Sequence, residues 1–158
     1  MPRRYWLFKS EPGTFSWDDL EKSEDQTTCW EGVRNYQARN FMRDDVKLGD
    51  GVFFYHSRVA PMSIVGKCKV VRESYPDYTQ WDESSPYHDP KATKDNPRWM
   101  MVDVKADGRF KRPVTLEEMK TVPELADMVL LKKGSRLSIQ PVTAEQWKVI
   151  VRLSSRKA

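Results

Sequence analysis

Arg4 to Lys9 (Arg-Tyr-Trp-Leu-Phe-Lys) carries three aromatic residues among its four central positions, so it reads as a strand with both faces largely covered. Ser10-Glu11-Pro12-Gly13 ends it. A turn at Leu48-Gly49-Asp50-Gly51 leads into a second strand, Val52 to Ser57. Its alternation sends Val52, Phe54 and His56 to one face and Phe53, Tyr55 and Ser57 to the other. Ser63 to Arg72 alternates Ile64, Gly66, Cys68 and Val70 against Val65, Lys67, Lys69 and Val71, with one buried and one partly wet face. Further strands are expected at Arg98 to Lys105 and Arg136 to Val142. In the last, Ser138 and Gln140 share a face, either lining a cavity or meeting solvent.

Helix-start signals punctuate these strands. Ser16 is an N-cap for a short helix through Lys22, with Asp18 and Asp19 near the positive end of its dipole. Thr115-Leu-Glu-Glu118 and Thr143-Ala-Glu-Gln146 both have the capping-box pattern. The latter begins a terminal helix with Ala144, Trp147, Ile150 and Val151 on one face. Pro123 to Leu131 reads as a short helix and turn. Five to seven mostly antiparallel strands with short helices between them predict an α+β fold, a small curved barrel with helices around it. With 158 residues, a single domain spanning 1–158 is expected.

Composition narrows the function classes. Hydrophobic residues are 39% and charged residues 32%, and no apolar run approaches the length of a membrane span or signal peptide. A soluble intracellular protein is therefore expected. The net charge of +4 is a mild basic bias, compatible with a polyanionic partner. Cys29 and Cys68, with His56 and His88, match no zinc ligand spacing, so no metal or cofactor is expected. No phosphate loop, nucleophile elbow or His-Glu-x-x-His helix occurs. Cys29 with His56, or His88-Asp89, could form a reactive pair only if the fold brings them together.

Thr28 to Asn40 (Thr-Cys-Trp-Glu-Gly-Val-Arg-Asn-Tyr-Gln-Ala-Arg-Asn) concentrates an indole, two guanidiniums, two amides and a phenol around Gly32. That mixture suits a flat, polar ligand. Helical spacing from Asn35 puts Asn35, Arg39 and Arg43 on one face and Ala38 and Phe41 on another. The same residues also fit an ordinary amphipathic helix with a solvated basic face and Trp30 in the core. Ser74 to Pro97 lacks periodicity, but Tyr75, Tyr78, Trp81 and Tyr87 argue that this long loop packs onto the body.

Tyr5-Trp-Leu-Phe-Lys-Ser-Glu-Pro12, Cys29-Trp-Glu-Gly-Val-Arg-Asn-Tyr-Gln-Ala-Arg-Asn40, Phe53-Phe-Tyr-His-Ser57, Tyr75-Pro-Asp77, Arg98-Trp99 and Arg136-Leu-Ser-Ile-Gln-Pro-Val142 together resemble the EVE domain family, over almost the whole chain. The resemblance implies a PUA-like barrel, related in fold to ASCH and YTH domains, and a non-catalytic reader of modified bases in DNA or RNA. A base held in a pocket needs a stacking face and a few fixed polar groups. Trp30 and Trp99 would stack, with Val33, Tyr36 and Tyr55 beside them. Asn35, Ser57, Ser138 and Gln140 would read the edge, while Lys9, Arg34, Arg39 and Arg43 would meet phosphates. The rival expectation is a sensor or enzyme for a free nucleobase or anionic metabolite. Beyond nucleic acid, no membrane or obligatory protein partner is expected. Unlike vertebrate members, the chain has no long basic stretch before its first strand, favouring a cytoplasmic bacterial protein, or a nuclear one if eukaryotic.

Overall fold

The computed structural model describes residues 3–132 and 137–155, so Arg136 of the last expected strand lies outside the described residues. Six strands form one mixed sheet: β1 (Tyr5–Ser10), β2 (Thr27–Cys29), β3 (Gly51–His56), β4 (Ser63–Pro76), β5 (Met100–Thr115) and β6 (Ile139–Val142). Their order is β2-β5-β4-β3-β1-β6. Only β1 and β3 run parallel; the other neighbours are antiparallel. The end strands β2 and β6 do not pair with each other among the described residues. Of the expected α+β fold, a curved barrel with helices around it, the structure shows the mixed sheet and the short helices, and the sheet is not closed.

The aromatic run of β1 sits inside this sheet, between β3 and β6, and feeds a core on each face. Trp6, Phe8, Val52 and Phe54 enter one core, with Trp17, Trp30 and Met42. Leu7, Phe53 and Tyr55 enter the other, with Met119, Leu125 and Ile150. The turn before β3 is held by buried Asp50, whose carboxylate accepts from Trp6 Nε1 (3.0 Å) and Lys47 N (2.9 Å).

Strands β4 and β5 run well past the expected limits, making a long antiparallel pair with several register irregularities. One lies at Lys67 opposite Gly108, where Asp107-Gly108 resembles a turn in sequence but is part of the ladder. Close packing fixes Gly66: a Cβ there would lie 2.6 Å from the Trp17 ring and 2.9 Å from the Gly108 carbonyl oxygen.

The helices are short. α1 (Trp17–Lys22) has the reciprocal Ser16/Asp19 capping box. α2 (Tyr36–Asn40) passes into a π-type turn, Phe41–Asp45, closed by Val46 N donating to Phe41 O at 2.9 Å. Asn35 is the N-cap of α2 and Arg43 lies in the π-type turn, so of the expected Asn35-Arg39-Arg43 line only Arg39 sits in the α-helix itself. α3 (Leu116–Lys120) is capped by Thr115, but the Glu118 carboxylate pairs with Arg112 at 2.6 Å instead of returning to the cap. α4 (Ala144–Ser154) has the full Thr143/Gln146 box. It buries Val149, Ile150 and Leu153, a face rotated from the expected one that leaves Ala144 exposed. Trp147 still docks on the sheet, stacked on Phe53 at 4.0 Å. Among the described residues no helix is long and apolar enough to cross a membrane.

Gly66→Ala is expected to overpack this contact and cost about 1–3 kcal/mol. In a thermal melt by circular dichroism, Tm should fall by roughly 2–4 °C for each kcal/mol lost.

Candidate functional site

The edge strand β2 delivers the Trp30 to Asn40 segment to one end of the sheet. Trp30 N extends the pairing with β5 by donating to Val102 O at 2.7 Å, and the chain then turns at Gly32. Gly32 has φ +82°, and a Cβ on it would lie 2.7–2.9 Å from the Tyr87 ring. A left-handed backbone and close aromatic contact together require glycine here.

The anchor of this turn is Asp77, fully buried at the end of β4. Its Oδ2 accepts from Gly32 N (2.8 Å) and Arg34 Nη1 (3.1 Å), and its Oδ1 accepts from Thr79 N (2.8 Å) and Thr79 Oγ1 (2.5 Å). Arg34 also donates from Nε and Nη2 to Tyr87 O at 2.9 and 2.6 Å, and from Nη2 to Thr79 Oγ1 at 3.0 Å. Its guanidinium lies 5.2 Å from the Trp99 ring centre and 5.6 Å from that of Tyr87. The long loop is thereby fastened to the Gly32 turn, and Arg34 has a structural role in place of the expected phosphate contact.

Between these elements is a hollow of about 430 Å³, within the range of roughly 300–1,000 Å³ usual for small-ligand sites. Lys9, Ser10, Glu11, Thr14 and Phe15 line one side; Thr28 to Val33, Tyr87 and Ser138 complete it. Trp30 is both core and wall: it packs on Phe8 (5.2 Å) and edge-on against Phe54 (5.4 Å), leaving 8% exposed.

The expected residues divide sharply. Trp30, Val33, Lys9 and Ser138 come together around the hollow, and the others lie elsewhere. Asn35 is the N-cap of α2, its Oδ1 accepting from Ala38 N at 3.0 Å. Tyr36 and Trp99 stack on each other at 4.8 Å outside the lining, and Trp99 Nε1 donates to Asp89 Oδ2 at 2.7 Å. Tyr55 is buried in the second core, and burial pushes its phenol up to about 12. Ser57 follows β3, its backbone N donating to Ser10 O. Gln140 pairs opposite Leu7, a second-core residue, and its Nε2 donates to Leu137 O at 2.9 Å. Arg39 is turned onto Tyr36, Asn40 and Arg98 O, while Arg43 is occupied by Asp44. Phe15, Glu31 and Tyr87 join the lining unforeseen. Glu31 lay inside the central motif; Tyr87 had no signal beyond being aromatic in a loop that packs down.

Two charges in the hollow have no ion-pair partner among the described residues. Lys9 is half-buried, its ammonium is pulled below its ordinary value by burial, and no carboxylate pairs with it among the described residues. Glu31 likewise forms no ion pair among the described residues. The Tyr78 phenol beside it is pushed up, chiefly by its hydrogen bond to the Glu31 carboxylate. Glu11 is tied to Arg58 at 3.1 Å. Burial and the carboxylates of Glu31 and Asp103 push the Cys29 thiol up, away from nucleophilic behaviour. His56 Nε2 is occupied by Trp17 N at 3.1 Å, so it is no base for Cys29.

The described strands make an open mixed sheet with a hollow at the end of its β2 edge, and the relatives of the chain are consistent with a PUA-like fold. The chain belongs to the EVE domain family, whose sequence profile matches residues 4–153. It is 43% identical to human thymocyte nuclear protein 1 over 97% of this chain and 75% of that protein. A Schizosaccharomyces pombe protein of uncharacterised function is 42% identical over 98% of this chain and 70% of its own length. The structure of human THYN1 protein in complex with 5-methylcytosine-containing DNA superposes with a TM-score of 0.91 at 44% identity, covering 98% of this chain and 99% of the other. A Pseudomonas putida protein gives 0.90 at 47% identity, covering 95% and 99%.

Asp77→Ala should cost about 3–5 kcal/mol, because it leaves Arg34 and the Gly32 amide without their buried acceptor. Denaturant unfolding measures the loss, and hydrogen exchange should show earlier opening at Gly32. Lys9→Met should stabilise the protein at neutral pH. Burial disfavours the ammonium, so that cost is present below the folded pKa and fades as pH rises towards the unfolded value near 10.5. Thermal melts of both proteins from pH 7 to 10.5 should show the gap narrowing.

Proposed function

We propose that this chain binds nucleic acid by accepting one modified base, extruded from its stack, into the hollow beside Trp30, without transforming it. The observation that carries this reading is the hollow itself: its size, its aromatic wall of Phe15, Trp30 and Tyr87, and its polar groups, Lys9, Ser138 and Glu31. The family relationship supports it, since a relative 44% identical over nearly the whole chain was solved with 5-methylcytosine-containing DNA. A flipped base gains from aromatic contact and from fixed donors and acceptors at its edge. Arg58, largely exposed and held only by a surface pair with Glu11 at the rim of the hollow, would exchange that pair for a flanking phosphate. Arg34 is excluded from that role by its internal bonds.

Fluorescence anisotropy with single-stranded oligonucleotides, identical except for 5-methylcytosine or cytosine at one position, tests the reading in both DNA and RNA. About tenfold preference for the methylated strand is expected, the scale of one methyl group in an apolar site. Affinity should fall with salt at a log–log slope of about −0.7 per phosphate contacted. Ser138→Phe, which fills the hollow from a partly exposed position, should remove the preference and leave weak salt-sensitive binding. Equal wild-type affinity for both strands would overturn the proposal. A free nucleoside binding as tightly as the oligonucleotide would assign the hollow to a metabolite.

A further inference from the structure

We infer that Glu31 and Lys9 make the hollow selective for the amino–carbonyl edge of a cytosine-type base over the carbonyl–imino edge of a thymine- or uracil-type base, an assignment that rests on the base-binding reading above. Both residues line the hollow, and neither has an ion-pair partner among the described residues. This distinguishes them from Glu11, already neutralised by Arg58, and from Arg34, whose donors are consumed within the protein. The hollow thus offers an acceptor in Glu31 and donors in the Lys9 ammonium and the hydroxyls of Ser10 and Ser138, although the Ser10 hydroxyl is already given to Phe15 O.

An ionised carboxylate accepts hydrogen bonds and donates none, while an ammonium donates and accepts none. Cytosine presents, in sequence, an amino donor, a ring-nitrogen acceptor and a carbonyl acceptor. Glu31 facing the amino group and Lys9 facing the acceptors satisfies both ends. Thymine places a carbonyl where cytosine has its amino group, setting oxygen against the Glu31 carboxylate. Once a bound base displaces water from the carboxylate, such a mismatch costs more than a missing bond. Guanine also presents a carbonyl at the corresponding corner. Tyr78, held by the Asp77-capped turn that fastens the loop, lies beside Glu31.

Thymine is 5-methyluracil, so single strands carrying 5-methylcytosine or thymine at one position share the methyl group and differ only at the edge. Anisotropy titrations with wild type, Glu31→Gln and Ser138→Phe form the experiment. Glu31 is exposed, so its amide variant should fold, and glutamine can turn to accept from an amino group or donate to a carbonyl. Wild type should prefer 5-methylcytosine over thymine by at least about tenfold. Glu31→Gln should bring the two within about twofold, chiefly by strengthening thymine binding. If wild type binds both equally while Ser138→Phe weakens both, edge selection is overturned and base binding in the hollow stands. Unchanged discrimination in Glu31→Gln overturns the role of Glu31. If Ser138→Phe changes nothing, the base-binding reading fails and this inference with it.

Discussion

A single carboxylate, that of Asp77, organises the functional end of the molecule. Fully buried, it accepts from the Gly32 amide, the Arg34 guanidinium, and the amide and hydroxyl of Thr79. A buried charge is tolerable only when its lone pairs are met, and here each oxygen has two donors. The cost of separating any of them ties the Gly32 turn to the loop beyond β4. That loop then closes a side of the hollow through Tyr87, which needs the bare Cα of Gly32 to come so near.

The sheet supplies the rigid support. Because β1 and β3 have apolar residues on both faces, they divide two cores, one under Trp30 and one under α4. The hollow lies on the side of the first core, where Phe8 and Phe54 hold the Trp30 ring from behind. An indole braced in this way is a wall whose orientation is set before any ligand arrives, which lowers the ordering cost of binding. Polar groups around it are not all so settled. Lys9 and Glu31 have no ion-pair partner among the described residues, and Lys9 is half-buried at some cost to folding. A half-buried lysine with no ion-pair partner among the described residues is the pattern expected where stability is given up for recognition.

Local patterns were legible from the residues. The two-faced aromatic strand, the Ser16 cap, the Thr143 capping box, the Gly32 turn and the packing-down of the aromatic loop all follow from neighbours in sequence. Limits came where local rules met long-range pairing. Asp107-Gly108 looks like a turn, yet β5 runs through it because β4 offers a continuous ladder. The regular helix expected from Asn35 through Arg43 gives way after Asn40 to a π-type turn.

The candidate site shows the division most clearly. Residue chemistry and the family motifs placed Trp30, Val33, Lys9 and Ser138 near a ligand, and these do surround one hollow. Alternation on β3 was also correct, but which face turns to the hollow depends on where the second core lies; Tyr55 belongs to that core. Arg34 is indistinguishable in sequence from a phosphate-binding arginine until Asp77 and Tyr87, more than forty positions away, are seen to occupy its donors. Sequence alone determined the centres of the strands other than β2, the Ser16 and Thr143 caps and the Gly32 turn, because those energies act between near neighbours. Tertiary structure decided which charges are spent inside the protein and which remain to meet a ligand, because that depends on partners brought close only by the fold.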